Sequence, residues 1–174
     1  KILCIGQLMN SPILQGNGSS RVNAMKIDSI PEELAKAGLQ FAFEPGFRQD
    51  DGKIDRELSD GAVNAAEKAE KIIFFAGLSN YTEAESYDRE NLNLPECHDH
   101  LIDRLSRLGK ELVIVLQTGS AVEMPWVNEV DSILQMHLSG QGAGKALADV
   151  LSGKINPCGK LTETYPEKLS HIPS

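Results

Sequence analysis

Residues 72–117 read IIFFAGLSNYTEAESYDRENLNLPECHDHLIDRLSRLGKELVIVLQ. The stretch begins with one apolar run, Ile72–Ala76, and ends with another, Leu112–Gln117. Near-continuous apolar runs are typical of strands that are covered on both faces. Between the runs, four apolar residues recur at helical spacing and share one face: Leu101, Ile102, Leu105 and Leu108. Pro95 precedes this pattern and Gly109 ends it, so the stretch predicts a strand–helix–strand unit of a parallel sheet.

The same alternation continues on both sides of this unit. Three further apolar runs predict strands: Ile2–Ile5, Gln40–Phe43 and Ile133–Met136. Three further segments predict helices: a capping box at Ser29 followed by a helix that stops at Gly38, the Ala- and Glu-rich stretch Ile54–Lys71, and an apolar face from Ala143 that ends at Gly153. Thr162–Tyr165 alternates polar and apolar residues and predicts an edge strand.

Together these elements predict an α/β fold. We expect a three-layer sandwich in one domain, residues 1–174, with a mostly parallel sheet of about six strands and helices on both faces. Lys1 leads directly into the first strand, which predicts that the sequence is a fragment of a longer protein.

Composition narrows the class of partner. The 174 residues carry a net charge of −8, which disfavours a nucleic-acid partner because binding phosphates requires clustered Lys and Arg. No apolar run approaches the roughly 20 residues that cross a bilayer, so no membrane partner is expected. Cys4, Cys97 and Cys158 have no zinc or disulfide spacing, and the four histidines form no metal-ligand pattern. We therefore expect no metal and no cofactor, and unpaired cysteines favour a cytoplasmic protein.

The loop after the predicted third strand holds the first candidate site. Two tyrosines and an arginine accompany four acidic residues that lie within eight positions. The acidic residues are Glu83, Glu85, Asp88 and Glu90. Parallel α/β sheets bind ligands outside the carboxyl ends of their strands, where this loop begins. A carboxylic acid partly desolvated by tyrosine can act as a general acid. The residues alone do not decide which of the four acidic side chains would be the general acid. A solvated acidic loop without catalytic function is the alternative.

The loop after the first strand reads Gln15-Gly-Asn-Gly-Ser-Ser-Arg21. Its Gly-x-Gly resembles part of a dinucleotide fingerprint, but the loop is long and lacks the third glycine and the immediate helix. A Rossmann-like or flavodoxin-like ligand-binding domain therefore stays an alternative. A third alternative is a non-catalytic carbohydrate-associated module, which would keep the fold without using Glu85.

A series of motifs follows the order of one known family. They are Lys1-Ile-Leu-Cys-Ile-Gly6, Gln15-Gly-Asn-Gly-Ser-Ser-Arg-Val22, Glu83-Ala-Glu-Ser-Tyr-Asp-Arg-Glu-Asn-Leu-Asn-Leu-Pro95, Thr118-Gly-Ser-Ala-Val-Glu-Met-Pro-Trp126, Gly140-Gln-Gly-Ala-Gly144, the stretch 148–161, and Tyr165-Pro166. With these motifs the chain resembles the C-terminal α/β-sandwich domain of glycoside hydrolase family 3, which includes many β-glucosidases and β-xylosidases. The resemblance covers nearly the whole sequence.

The resemblance implies a retaining β-glycosidase that uses two carboxyl groups. An Asp nucleophile would lie on a preceding barrel domain of the same polypeptide, and this domain would lend a Glu as general acid/base. That glutamate matches Glu85. Glu83 stays a second candidate, because Ser86 stands where the family usually has Gly. The fragment alone would be inactive. Its partners would be the barrel and a β-linked oligosaccharide or glycoside, and homo-oligomerisation stays open.

Further roles follow from the same resemblance. The residues expected to border the sugar are Gly18, Ser19, Ser20, Arg21 and Tyr87. Asp88 and Arg89 are expected to position the acidic loop, with a weak local ion pair as the alternative. Without the barrel, we expect Glu85 to be exposed and its pKa unshifted. Trp126 suggests a sugar-stacking platform, but its Met-Pro-Trp context favours a place in the core.

Overall fold

A computed structural model of the chain describes residues 1–49, 51–79, 82–86 and 88–172. In this part of the chain, five strands form one sheet in which every neighbouring pair is parallel. In chain order they are β1 Ile2–Ile5, β2 Phe41–Glu44, β3 Lys71–Gly77, β4 Glu111–Gln117 and β5 Ser132–Gln135. The spatial order is β2-β1-β3-β4-β5.

Helices cover both faces of the sheet. They are α1 Ile30–Lys36, α2 Arg56–Ala66, α3 Glu96–Ser106 and α4 Ala143–Leu151. Helices α1 and α4 pack together, as do α2 and α3. Ser29 and Asp55 accept hydrogen bonds at the starts of α1 and α2, from the backbone N–H of Glu32 and Leu58. These caps satisfy donors that a helix start leaves unpaired.

The central strands explain why the apolar runs are continuous. Successive side chains of a strand point to opposite faces. Ile72, Phe74 and Ala76 of β3 therefore join the core with α2 and α3, whereas Ile73 and Phe75 join a second core with α1 and α4. The molecule is thus the three-layer α/β sandwich that the sequence predicts.

Two details differ from the sequence expectations. The predicted helix Ile54–Lys71 is wrong at its end, because α2 stops at Ala66 and the backbone of Glu70 already bonds to Lys1 beside the sheet. The expected edge strand at Thr162–Tyr165 is also wrong, so the described sheet has five strands rather than about six. Thr162, Glu163 and Thr164 are exposed, and Tyr165 is the one residue of that segment that packs against the core. The segment therefore buries too little apolar surface to hold a strand.

The sheet order creates a crevice at its carboxyl edge. From β1 the chain passes to β2 on one side and then crosses back to β3 on the other side of β1. β1 and β3 therefore flank the point where the winding reverses. In parallel α/β sheets, ligands bind outside the carboxyl ends of two such strands. Among the described helices, none has the length and apolarity that a bilayer crossing requires.

Candidate active site

The loops after β1 and β3 meet at this crevice. An isolated parallel bridge joins Asn17 of the first loop to Ala84 of the second. Gly18 follows with a φ of +86°, and a Cβ added there would lie 2.8 Å from Glu85 Oε2 and 3.0 Å from its Cβ. Glycine at this position therefore lets the backbone of the first loop lie directly against the Glu85 side chain.

Glu85 is exposed and held from one side. Its Oε2 accepts hydrogen bonds from the Ser19 hydroxyl at 2.5 Å and from the Ser19 backbone N–H at 2.9 Å. The Ser19 hydroxyl, and then the Ser19 N–H, lower the pKa of Glu85, because both bonds favour the carboxylate form. The expectation that Glu85 is exposed is confirmed, but the expectation of an unshifted pKa is wrong, because the domain supplies these donors itself.

Glu83 has a different environment. It is half-buried, and its Oε2 accepts a hydrogen bond from the backbone N–H of Gly119 at 2.7 Å. Its Oε1 accepts a hydrogen bond from the Ser120 hydroxyl. Both oxygens are therefore bonded to the loop after β4. The described residues give Glu85 Oε1 no such partner, so Glu85 is the better placed of the two to exchange a proton with a bound molecule.

Arg89 lies beyond Glu85 in the same loop and also bonds to the loop after β4. Its Nη1 donates to the Ser120 hydroxyl and to the Ala121 carbonyl, both at 2.9 Å. Burial lowers the pKa of Arg89, while the nearby carboxylates of Glu83 and Glu163 raise it. Among the described residues, Nε and Nη2 are buried without a hydrogen-bond partner. No hydrogen bond of Arg89 to Asp88 occurs in that part of the chain, and Asp88 is exposed.

The remaining residues predicted to border a sugar divide into two groups. Gly18 and Ser19 contact Glu85 directly. Ser20 and Arg21 are exposed, and Arg21 bonds through its backbone N–H to the Gly18 carbonyl, which closes the turn Gly18–Ser20. Tyr87 lies outside the described residues.

Sequence reasoning missed the contribution of residues 119–121. They were visible as part of the Thr118–Trp126 motif, which follows β4, the strand beside β3. Adjacent parallel strands bring their following loops together. The predicted strand–helix–strand unit therefore indicated that the loops after β3 and β4 meet, but not which atoms form hydrogen bonds.

Other residues whose types could bind a sugar or take part in a reaction are buried: Trp126, His98 and Cys97. Trp126 is 3% exposed in the core and its Nε1 donates to Asp99 Oδ1 at 2.8 Å, which confirms the core assignment over a sugar platform. Burial lowers the pKa of His98 to about 3 and raises the pKa of Cys97 to about 12. Within the described ranges, no three His, Cys, Asp or Glu side chains are grouped so that they could hold a metal ion.

Comparison with known proteins gives one consistent result. The model of the glycosyl hydrolase family 3 C-terminal domain matches residues 1–174. The chain is 43% identical over 176 residues to thermostable beta-glucosidase B of Acetivibrio thermocellus, an alignment that covers 99% of this chain and 23% of that protein. It is 35% identical over 175 residues to an exo-alpha-(1->6)-L-arabinopyranosidase of Bifidobacterium longum, covering 100% of this chain and 23% of that protein.

A solved structure shows the same relationship in three dimensions. The crystal structure of the GH3 beta-glucosidase of Bifidobacterium adolescentis matches with a TM-score of 0.93 at 39% sequence identity. The match covers 100% of this chain and 26% of that one. The chain therefore spans about a quarter of the length of the relatives it matches.

Proposed function

Because this chain belongs to glycosyl hydrolase family 3, as its C-terminal domain, we propose that it is one domain of a longer retaining β-glycosidase and supplies the general acid/base. The proposed acid/base is Glu85. The proposed partner is a barrel domain of the same polypeptide, which would supply an Asp nucleophile and most of the sugar contacts.

The position of Glu85 is the observation that carries this proposal. Its carboxylate is exposed at the carboxyl edge of the sheet, at the reversal point between β1 and β3, and Ser19 from the loop after β1 holds one of its oxygens. An acid that serves a pocket in another domain must project from a supported loop and remain accessible. Glu85 meets both conditions.

The geometry favours Glu85 over Glu83 for this role. Glu83 is half-buried and both of its oxygens accept hydrogen bonds from residues 119 and 120. To protonate a glycosidic oxygen it would first have to break these bonds and turn outward. We therefore propose that Glu83 anchors the loop and Glu85 performs the proton transfer.

A nucleotide-binding function has less support from the same contacts. Phosphate sites in α/β proteins use free backbone N–H groups of a glycine-rich loop. Here the Ser19 N–H donates to a carboxylate, which would repel a phosphate group. The loop after β1 thus serves Glu85.

The proposal includes a second carboxyl group from outside this domain. Retaining glycosidases hold their two carboxyl groups about 5–5.5 Å apart, one as nucleophile and one as acid/base. We propose that residues 1–174 alone hydrolyse no β-glycoside. The relatives include both a beta-glucosidase and an arabinopyranosidase, so we propose a terminal β-linked glucose as the first substrate to test and an α-L-arabinopyranoside as the second.

The test is a matched pair of variants in the complete enzyme, Glu85→Gln and Glu83→Gln. Each keeps the size of the side chain and cannot transfer a proton. For a methyl glycoside, whose leaving group requires protonation, kcat/KM of Glu85→Gln should fall by about 100- to 10,000-fold. For a dinitrophenyl glycoside, whose leaving group departs as a stable anion, it should change far less.

Two results would contradict the proposal. A larger selective loss in Glu83→Gln than in Glu85→Gln would exchange the roles of the two glutamates. Unchanged kinetics in both variants would leave the domain as a non-catalytic carbohydrate-associated module.

A further inference from the structure

We propose that Ser120 is a positioning residue for Glu85: its hydroxyl joins the two anchors that enclose the loop segment carrying the acid. This inference rests on the proposed function. It extends that function to a residue that contacts neither Glu85 nor, in this account, the sugar.

The anchors lie on either side of Glu85 in the chain. Two residues before it, Glu83 accepts hydrogen bonds from the Gly119 N–H at 2.7 Å and from the Ser120 hydroxyl. Four residues after it, Arg89 donates through Nη1 to Ser120 Oγ and to the Ala121 carbonyl, both at 2.9 Å. The loop after β4 therefore bonds to one residue before Glu85 and to one residue after it.

Among the described residues of the loop after β4, Ser120 is the one whose side chain takes part in both anchors. A serine hydroxyl has one donor and two acceptor sites, so it can donate to the Glu83 carboxylate and accept from Arg89 at once. The Gly119 and Ala121 contacts use backbone atoms, which a substitution leaves in place. A single substitution at residue 120 therefore removes hydrogen bonds to Glu83 and to Arg89, on either side of Glu85, and leaves the strands intact.

Ser120 with its bonds to Glu83 and Arg89, which we call the brace, follows a strand that is fully paired in the sheet. Ser120 follows β4 by three residues, and β4 pairs with β3 along its whole length from Lys71↔Glu111 to Gly77↔Gln117.

Hydrogen bonds that involve a charged partner are roughly twice as strong as neutral ones. The Ser120 hydroxyl makes one such bond to a carboxylate and one to a guanidinium.

Arg89 makes the loss of this hydroxyl more consequential. Two of its three nitrogens are buried and lack a partner among the described residues, so Nη1 makes the side-chain hydrogen bonds that the structure shows. Without the serine oxygen, Arg89 Nη1 would lose one of the two hydrogen-bond acceptors that the described residues give it, and Glu83 Oε1 would lose its donor. Both groups gain by moving toward water, and the segment that carries Glu85 would move with them.

The consequence for the reaction is specific. Misplacement of a reacting group by about 1 Å can cost about 100-fold in rate. A displaced acid affects leaving groups that require protonation and leaves activated ones nearly untouched. Partial unfolding, in contrast, lowers the amount of active enzyme and so reduces the rates of all substrates by one common factor.

The experiment compares Ser120→Ala, Ser120→Thr and Ser106→Ala in the complete enzyme. Ser106, the last residue of α3, is the matched control, because it is also half-buried and its hydroxyl also donates to a glutamate, Glu129, which lies outside the loops of the site. For each variant, kcat/KM is measured with a methyl and a dinitrophenyl glycoside, with and without azide, beside the thermal unfolding midpoint.

For Ser120→Ala we expect kcat/KM to fall by about 10- to 100-fold with the methyl glycoside and to change little with the dinitrophenyl glycoside. Ser120→Thr, which keeps a hydroxyl, should restore most of the loss, and Ser106→Ala should show no selectivity. Azide should not accelerate Ser120→Ala, because the Glu85 side chain, although displaced, is still present and leaves no vacant space beside the reacting carbon for azide.

Three outcomes would overturn the inference. If Ser120→Ala loses activity equally on both substrates, or on neither, while Glu85→Gln loses it selectively, Ser120 has only a structural role and the proposed function stands. If Ser120→Thr is as impaired as Ser120→Ala, the hydroxyl is not the cause. If Glu85→Gln is not selective either, the proposed function and this inference fail together.

Discussion

Ser19 gives Glu85 a preference for the charged form that suits only half of a retaining reaction. The hydroxyl and the N–H of Ser19 both donate to one Glu85 oxygen and lower the pKa of the carboxyl group. A general base must start as the carboxylate, which this arrangement stabilises, whereas a general acid must start protonated. We infer that the complete enzyme raises the pKa again in the first step, through a negatively charged nucleophile nearby and through desolvation by the bound sugar.

The variant Ser19→Ala tests this role of the hydroxyl. It removes the larger of the two causes that lower the pKa of Glu85 and keeps the backbone N–H. Without that donor the carboxylate form is less stabilised, so the pKa rises. Because kcat/KM requires the protonated acid, the alkaline limb of its pH profile should move to higher pH. Ser11→Ala, an exposed serine in the same loop, should leave that limb in place. A limb that stays or moves to lower pH in Ser19→Ala would contradict the account.

Among the elements, the junction of β3 and β4 supports both sides of the site. Gly77 ends β3, and a Cβ added there would lie 2.4 Å from the Gln117 carbonyl oxygen. Gln117 is buried, accepts a hydrogen bond from the Ile13 N–H at 2.9 Å and donates to the Leu8 carbonyl at 3.2 Å. This one glutamine therefore ties the loop after β1 to the sheet beneath the loop that carries Glu85.

Two alanine substitutions should change stability in opposite directions. Gly77→Ala forces the backbone of β3 and β4 apart and should lower the free energy of unfolding by about 1–3 kcal/mol. Gly61→Ala lies on the exposed face of α2, where an added Cβ meets nothing within 4 Å, and should raise it by about 0.5–1 kcal/mol. Urea unfolding of both variants gives the two values. Equal effects would show that the packing at Gly77 does not have the energetic cost assigned to it.

The elements also show what the sequence could and could not predict. The central strands β1, β3 and β4 were predictable, because their apolar runs fill two cores at once, as Phe74 and Phe75 do on opposite faces. Glu85 and Ser19 were predictable as candidates through motifs. Their hydrogen bond was not, because it depends on how two loops 66 residues apart meet at the edge of the sheet. The contacts of Glu83 with residues 119 and 120 escaped for the same reason.

At the scale of the whole molecule, the sheet and its two helix layers form a platform, and the loops at its carboxyl edge hold the candidate site. The chain spans about a quarter of the length of its relatives, and we propose that the reaction is divided between this platform and a barrel. In this proposal the domain supplies the proton donor, Glu85, and the residues that hold it, Ser19 and Ser120. The nucleophile and the sugar pocket would come from the partner domain.

The most direct measurement is the product that the complete enzyme forms in azide when Glu85 is replaced by alanine. With a dinitrophenyl β-glucoside, Glu85→Ala should still form the glycosyl-enzyme, and azide should attack it without help from a base. We predict that Glu85→Ala releases dinitrophenol faster with azide than without it. We also predict that β-glucosyl azide accumulates, identified by NMR. The unaltered enzyme should form glucose, and residues 1–174 alone should form neither product. A Glu85→Ala variant that gives no glucosyl azide, or that gives the α-anomer, would contradict the assignment of Glu85 as the general acid/base.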